Sequence, residues 1–330
     1  MQNYSILLNL IYSENEATKL NKEEEKERST FLFFKIWRNL YLKSYILGII
    51  KNYFINRDWR TFTLESLNKN KNKDYFKKVI LRNPIQVMDK GKYYQKKPNN
   101  DSEDDNLEKQ IQLPKNSITH LSFTTRNGKD SVFVIYPGFI PHSVTSLEMD
   151  HFYNSPLSKG LIPNSVTNLT FGSEFNQSIE VDDLPLSIQI LKFGNNFNKP
   201  LKKGSIPYGV KSITFGIDFN QVIDEGVIPS SCVQLIFGQR FKKRFDIGSI
   251  PNGVKILKLP LHYREYIGSN VLPSSILDVN VGSSFYTSNI TKIGNNIIPN
   301  SCIELRYRGT SSFSIDTSTI PNVKVTKYNF

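Results

Sequence analysis

The chain has 330 residues, 38% of them hydrophobic, and a formal net charge of +12. That apolar content can fill a folded core and excludes a wholly disordered chain. Two cysteines exclude a disulfide-stapled scaffold. The opening M-Q-N-Y-S-I-L-L-N-L-I-Y-S-E-N-E has no basic leader and only a short, broken apolar run before the first acids, which does not fit a signal peptide. These features predict a cytoplasmic protein.

The first 110 residues have no clear period and divide into three predicted segments. Residues 1–30 form a charged N-terminal tail, and residues 31–65 form a basic amphipathic helical segment that begins F-L-F-F-K-I-W-R-N-L-Y-L-K. Lys35, Arg38 and Lys43 interrupt this run, whereas a membrane-spanning helix needs about 20 nearly uncharged residues. Residues 66–110 change charge sign abruptly and hold few apolar groups, which predicts a low-complexity linker.

Three roles are open for the apolar, basic part of the helical segment, residues 31–55. The favoured one is a cap over the first turn of the array described below, because the end of such an array exposes apolar core and an unpaired strand edge. A second is a docking helix for another protein. The third is contact with an anionic membrane surface, which is not favoured.

Nucleic-acid binding by the basic region is also disfavoured. Residues 31–97 hold 16 Lys or Arg against four Asp or Glu, and Tyr75, Phe76, Tyr93 and Tyr94 interleave with lysines as stacking sites do. However, arginines are few and no nucleic-acid-binding module is recognisable.

From residue 111 onward the sequence is periodic. A proline preceded by Ile or Leu recurs every 22 residues, and three further prolines extend the series with steps of 27, 26 and 22 residues. The prolines are Pro114, Pro141, Pro163, Pro185, Pro207, Pro229, Pro251, Pro273, Pro299 and Pro321. Residues 111–330 are therefore predicted to be an array of stacked repeats.

The columns of the repeat share their chemistry. Counted from the proline, positions three, six and eight are apolar and position twelve is aromatic, as in Val166, Leu169, Phe171 and Phe175. Apolar positions six and eight, flanked by mostly polar ones, predict a short strand buried on one face. Such a unit cannot bury its own apolar face, so the units must stack in parallel. The fold class predicted is mainly β, a leucine-rich-repeat-like parallel solenoid with a short helical N-terminal region.

The predicted stacking also indicates whether the two cysteines can form a disulfide. Cys232 and Cys302 occupy position three, three repeats apart. At about 4.8 Å per strand they lie about 14 Å apart. A disulfide needs Cα atoms within about 7 Å, so both are predicted to be free core residues.

The blocks F-G-S-E-F-N-Q-S-I-E, F-G-N-N-F-N-K-P-L-K and F-G-I-D-F-N-Q-V-I-D, each met in its unit by Ile-Pro or Leu-Pro, resemble the FNIP repeat. That family consists of leucine-rich-repeat-like units, so the resemblance implies a solenoid. The segment F-F-K-I-W-R-N-L-Y-L also resembles an N-terminal segment of FNIP proteins, and F-box-like modules stand beside these repeats in some relatives. The resemblance thus implies an alternative function, an F-box-like substrate-recognition adaptor of a ubiquitin ligase that docks through the N-terminal helical block.

Enzymatic chemistry has no support in the repeat frame. The four histidines, His120, His142, His151 and His262, fall in different columns and show no metal-ligand spacing. The glycines recur at turns rather than in a phosphate-binding loop. We therefore predict no catalytic residue, no metal site and no cofactor. The recurring asparagine at position thirteen is expected to satisfy backbone groups of the next repeat rather than to bind a ligand.

The sequence also predicts an outward surface, formed by positions five and seven of each repeat. We predict a partner-binding patch there, which could also be a plain solvated sheet, made of Asn168, Thr170, Ile190, Lys192, Ser212, Thr214, Gln234, Ile236, Ile256 and Lys258. The function predicted is a non-enzymatic intracellular protein–protein interaction scaffold whose protein partner the sequence does not identify.

Overall fold

The computed structural model describes residues 60–62, 64–70, 76–82, 87–89, 92–94, 113, 117–124, 135, 137–260, 262–263, 265, 267–280, 297–308 and 320–328. Backbone contacts divide the chain into two units, Met1–Asp58 and Trp59–Phe330. All the described residues belong to the second unit. The predicted tail, residues 1–30, and the predicted helical block, residues 31–55, lie outside the described residues.

Twelve of the strands in the described residues form one parallel sheet in which neighbours in sequence are neighbours in space, apart from an excursion between the second and third of them. This excursion contains the antiparallel pair β3 (Val87–Asp89) and β4 (Lys92–Tyr94). A short helix, α1 (Leu64–Lys69), follows the first strand. The sheet strands are β1 (Arg60–Phe62), β2 (Lys78–Arg82), β5 (His120–Thr124), β6 (Ser146–Glu148), β7 (Asn168–Thr170), β8 (Ile190–Lys192), β9 (Ser212–Thr214), β10 (Gln234–Ile236), β11 (Ile256–Lys258), β12 (Asp278–Asn280), β13 (Glu304–Arg308) and β14 (Lys324–Tyr328).

Each three-residue strand places one side chain inward between two outward ones. In β7 to β11 the middle residue is fully buried, while both flanking residues are partly or fully exposed. Leu169 pairs with Leu191, and Leu191 pairs with Ile213, so equivalent repeat positions face each other. A parallel β-solenoid with a 22-residue repeat is therefore the fold of this region, as predicted.

Two ladders of aromatic rings fill the core. Along position eight, Phe193 stacks on Phe215 with ring centroids 5.1 Å apart, and Phe215 stacks on Phe237 at 5.2 Å. Along position twelve, Phe197 stacks on Phe219 at 5.9 Å. The two ladders also touch within each repeat, since the rings of Phe215 and Phe219 lie 4.0 Å apart. Stacked rings in nearly parallel planes contribute beyond their buried area, so the ladders bind the repeats of β6 to β11 to their neighbours.

The proline begins a turn that leads into each strand. In the repeat of β7, the backbone N–H of Val166 donates a hydrogen bond to the carbonyl of Pro163 at 3.0 Å, and the same bond recurs in every repeat from Pro141 to Pro299. Three residues before the proline the backbone adopts the left-handed conformation. Glycine usually stands there, for example Gly204 with φ of 88°, while Asp182 and Asn270 replace it in two repeats. Asp and Asn are the non-glycine residues that tolerate this conformation best.

The glycine at position nine begins a turn, in which the backbone N–H of Phe197 donates to the carbonyl of Gly194 at 3.3 Å, but the turn is not what requires a glycine. Gly194, Gly216 and Gly238 have no left-handed φ. Instead, a Cβ added to Gly216 would overlap the backbone carbonyl of Gly194, and a Cβ added to Gly238 would overlap that of Gly216. The repeats approach so closely at this corner that no side chain fits between them.

Two boundaries differ from the prediction. The segment 66–110, predicted as a linker, contains β2, which pairs with β5 in the main sheet and buries Val79 and Leu81. The sheet therefore begins before residue 111. β1, at the end of the segment predicted as helical, also belongs to it. The sequence analysis missed both strands because no Ile-Pro turn precedes them in the repeat frame.

The last repeat also departs from the template. Pro321 lies 22 residues after Pro299, but Leu305 pairs with Val325, only 20 residues further on. The turn before β14 is thus two residues shorter than in the other repeats. Val325, rather than the residue at position six, takes the inward place.

Candidate interaction surface

The structure places all ten predicted partner-binding residues on the outward side of β7 to β11. They are the first and third residues of five three-residue strands that are aligned without a slip. Each is exposed or half-buried, and Asn168 and Lys192 are the most open of them. Whether a partner binds there stays a prediction. We call this surface the outward face.

The charges on the sheet are not distributed evenly. At the C-terminal end, Nη2 of Arg306 contacts Oδ2 of Asp278 and Oε2 of Glu304, each at 2.7 Å. The hydrogen bond from Arg306 lowers the pKa of Glu304 below its usual value. On the outward face, Lys192 and Lys258 form no ion pair with any residue that the structure describes. The cations of the outward face therefore differ from Arg306, which is paired with two carboxylates.

The asparagine column has the structural role predicted for it. The side-chain Oδ1 of Asn176 accepts a hydrogen bond from the backbone N–H of Asn198 at 3.0 Å, and Asn198 does the same for Asn220 at 2.9 Å. Asn154 and Asn220 form the first and last such bonds, to Asn176 and Lys242. These amide oxygens are occupied by the backbone of the next repeat, so they do not form a ligand site.

A serine column two residues after the proline has a similar role and was missed by the sequence analysis. The hydroxyl of Ser187 donates to the carbonyl of Val166, one repeat earlier, at 2.7 Å. The signal was present in the sequence as a recurring serine. Equivalent bonds are made by Ser143, Ser165, Ser231, Ser275 and Ser301.

The histidines do not assemble. Nδ1 of His120 lies 2.9 Å from the hydroxyl of Thr119, and burial, followed by the positive charge of Lys78, lowers the pKa of His120. His151 instead makes an edge contact with the ring of Phe152. In the part of the chain that the structure describes, no group of three His, Cys, Asp or Glu side chains is placed to hold a metal ion.

The cysteines are free and buried, as the repeat frame predicted. Burial raises the pKa of Cys232 to about 12 and that of Cys302 to about 11. Both thiols therefore stay protonated at neutral pH, which is the opposite of what a nucleophilic cysteine requires.

A shallow groove of about 1080 Å³ runs along the turns that lead into the strands. Exposed apolar side chains at one end of it, Val181, Leu186 and Tyr208, are 57%, 76% and 72% exposed. The rest of its lining combines the Ile-Pro and Leu-Pro residues of the turns with polar residues such as Ser230 and Asn252. The groove is thus a second surface feature, on a different edge of each repeat from the outward face.

Aligned parallel strands, one per short repeat, together with a shared core and ladders of repeat-to-repeat hydrogen bonds, define a leucine-rich-repeat-like β-solenoid. The model of the FNIP Repeat family matches five overlapping stretches, residues 133–174, 153–196, 175–218, 197–240 and 219–262. The chain therefore contains FNIP repeats over residues 133–262, which confirms the resemblance seen in the sequence.

Among solved structures, the chain is similar to CroV588, described as a novel circular leucine-rich-repeat protein. The two share 28% sequence identity with a TM-score of 0.53, and the match covers 71% of this chain and 34% of that one. This chain thus matches about a third of the length of that protein. No match to a curated protein was found. Among the described residues, no helix has the length and apolar character required to cross a bilayer.

Proposed function

We propose that the chain is a non-enzymatic scaffold that binds a protein partner through the outward face. The observation that carries this proposal is the alignment of β7 to β11, which presents ten side chains in two straight columns. Stacked-repeat proteins commonly use such extended faces for binding. The recurring serine hydroxyls and asparagine amides of the same repeats are bonded to the backbone of a neighbouring repeat, and the thiol of Cys232 is buried.

The composition of the outward face supports the proposal. Ile190, Ile236 and Ile256 keep part of their aliphatic surface accessible between polar neighbours. Isoleucine is favoured in strands of any kind, but an interface would also gain free energy by burying these accessible aliphatic groups.

The test is a bulky, uncharged substitution on the outward face. Thr214 lies at its centre, and tryptophan is accepted well in strands, so Thr214→Trp should block the face without unfolding the sheet. Ser230→Trp, on the exposed turn lining the groove, is the matched control.

Affinity capture with mass spectrometry on the full chain should then recover a set of proteins with the parent and with Ser230→Trp, but not with Thr214→Trp. Circular dichroism of both variants checks that the fold is kept. Equal capture by all three proteins would refute the proposal.

A further inference from the structure

Strands β8 to β11, which lie near the middle of the twelve-stranded sheet, have an outward composition that the flanking strands do not share. The structure describes every residue from 189 to 258. We consider the residues of β8 to β11 together with the single residue that precedes each strand. None of the side chains in this set that reach solvent is a carboxylate. These side chains include four lysines and three isoleucines, namely Lys192, Lys211, Lys255, Lys258, Ile190, Ile236 and Ile256. We call these seven residues the central patch.

We propose that the central patch binds an extended acidic segment of a partner protein, with two carboxylates four residues apart and an aliphatic residue midway between them. This inference rests on the proposed function and specifies the chemistry of the partner.

The spacing of the lysines selects that pattern. Lys192 and Lys258 occupy the same column, separated by Thr214 and Ile236, which is a distance of three strand spacings. At about 4.8 Å per spacing, their Cα atoms are about 14 Å apart. An extended peptide advances about 13 Å over four residues, so residues i and i+4 reach both lysines. Residue i+2 points to the same side and meets the surface between them, at Thr214 and Ile236.

The charge pattern supports the same occupant. Lys192 and Lys258 have no ion pair with the described residues, so a carboxylate would not have to displace an existing partner. On one side of the patch the exposed carboxylate of Glu148 stands two strands from Lys192. On the other side the carboxylates of Asp278 and Glu304 share Arg306. Lys324 also lies 3.7 Å from Glu304, so the cations on that side are already paired. An acidic segment would therefore be repelled by Glu148 on one side and find no unpaired cation among these groups on the other.

A protein segment suits this patch better than a nucleic acid does. Binding of single-stranded nucleic acids relies on aromatic side chains or arginines on which bases stack, in addition to positive charge. The central patch contains neither, although it is cationic. Its isoleucines can instead pack against an aliphatic side chain of a protein segment. The experiment below therefore also tests a nucleic acid, whose binding would contradict the proposal.

The experiment uses the full chain and a fluorescent peptide with the core Glu-Ser-Leu-Ser-Glu. The matched peptide has the core Gln-Ser-Leu-Ser-Gln, and an oligothymidylate is titrated in parallel. The variant Lys192→Glu/Lys258→Glu removes the two lysines of the column. The control variant, Lys203→Glu/Lys242→Glu, makes the same change in net charge at exposed positions outside the outward face. Circular dichroism verifies the fold of both.

Fluorescence anisotropy should show that the Glu peptide binds the parent and the control variant alike. We expect its affinity to fall about tenfold or more for Lys192→Glu/Lys258→Glu, and for the Gln peptide with the parent, because two charge pairs are lost. Binding should also weaken from low to physiological ionic strength, since the pairs are partly exposed.

Three results would overturn the inference. They are no binding of the Glu peptide, equal loss in both double variants, or tighter binding of oligothymidylate that depends on Lys192 and Lys258. The outcome is separable from that of the proposed function. If Thr214→Trp abolishes protein capture while the Glu peptide does not bind, the outward face remains an interface and only the acidic partner is refuted. If Thr214→Trp leaves capture unchanged, the scaffold proposal fails by itself.

Discussion

Replacing Phe215 tests whether the aromatic ladders hold the solenoid together. Its ring is 3% exposed and stacks on Phe193, Phe219 and Phe237, with centroids 5.1, 4.0 and 5.2 Å away. Truncating a buried phenylalanine to alanine costs about 3–5 kcal/mol, because both buried area and packing are lost. The neighbouring rings belong to three different repeats, so little local collapse can refill the space. We therefore expect Phe215→Ala to lower the free energy of unfolding by about 4 kcal/mol.

The matched control is Phe215→Leu, which keeps an apolar side chain of similar reach and should cost only about 1.5 kcal/mol. Phe215→Asp places an unpaired charge in the core, which costs several kcal/mol more and should leave no folded array. Urea titrations followed by circular dichroism measure the first two, and a thermal scan tests the third. If Phe215→Ala unfolds at the same urea concentration as Phe215→Leu, the ladder does not carry the stability assigned to it. An aspartate variant as heat-stable as the parent would refute the register itself.

Three further predictions concern the contacts between repeats, each measured by the urea concentration or temperature of unfolding. Gly216→Ala should destabilise the protein by at least about 2 kcal/mol, because the new Cβ overlaps the carbonyl of Gly194. Asn198→Ala should cost about 1 kcal/mol by removing the acceptor for the N–H of Asn220, whereas Asn198→Asp, which keeps an acceptor, should be nearly neutral. Burial raises the pKa of Cys232 from 9.0 to about 12, so the folded state keeps a proton that the unfolded state loses, and stability should fall as pH rises through that range. Cys232→Val should make this alkaline loss shallower, and an unchanged pH profile would contradict the assignment.

For the outward face, the sequence was sufficient to predict on which side of the strands each residue lies. All ten predicted residues lie on one side of β7 to β11, because the alternation of side chains along a strand is fixed once the buried positions are known. The sequence did not predict which charged side chains on the sheet form ion pairs. Arg306 is neutralised by Asp278 and Glu304, whereas Lys192 has no such neighbour among the described residues, and this depends on the length and rotamers of side chains across strands.

In the parts of the chain that do not repeat, the sequence did not reveal which residues belong to the sheet and the core. β2 belongs to the sheet although its segment was predicted as a linker, since only its pairing with β5 reveals that Val79 and Leu81 are core residues. Phe76, considered as a stacking site for nucleic acid, is buried. The requirement for glycine at Gly216 likewise comes from the proximity of the next repeat rather than from its own backbone conformation.

The sequence by itself determined the period, the parallel stacking and the membership of the core columns, because in a repeating array each residue meets its own equivalent one repeat away. That translation turns a pattern along the chain into a contact in space, as in the Phe193–Phe215–Phe237 stack. The tertiary structure alone decided where the sheet begins, how tightly the glycine corners approach and which surface charges remain unpaired. These features depend on distances between segments that share no pattern, and only the folded chain sets those distances.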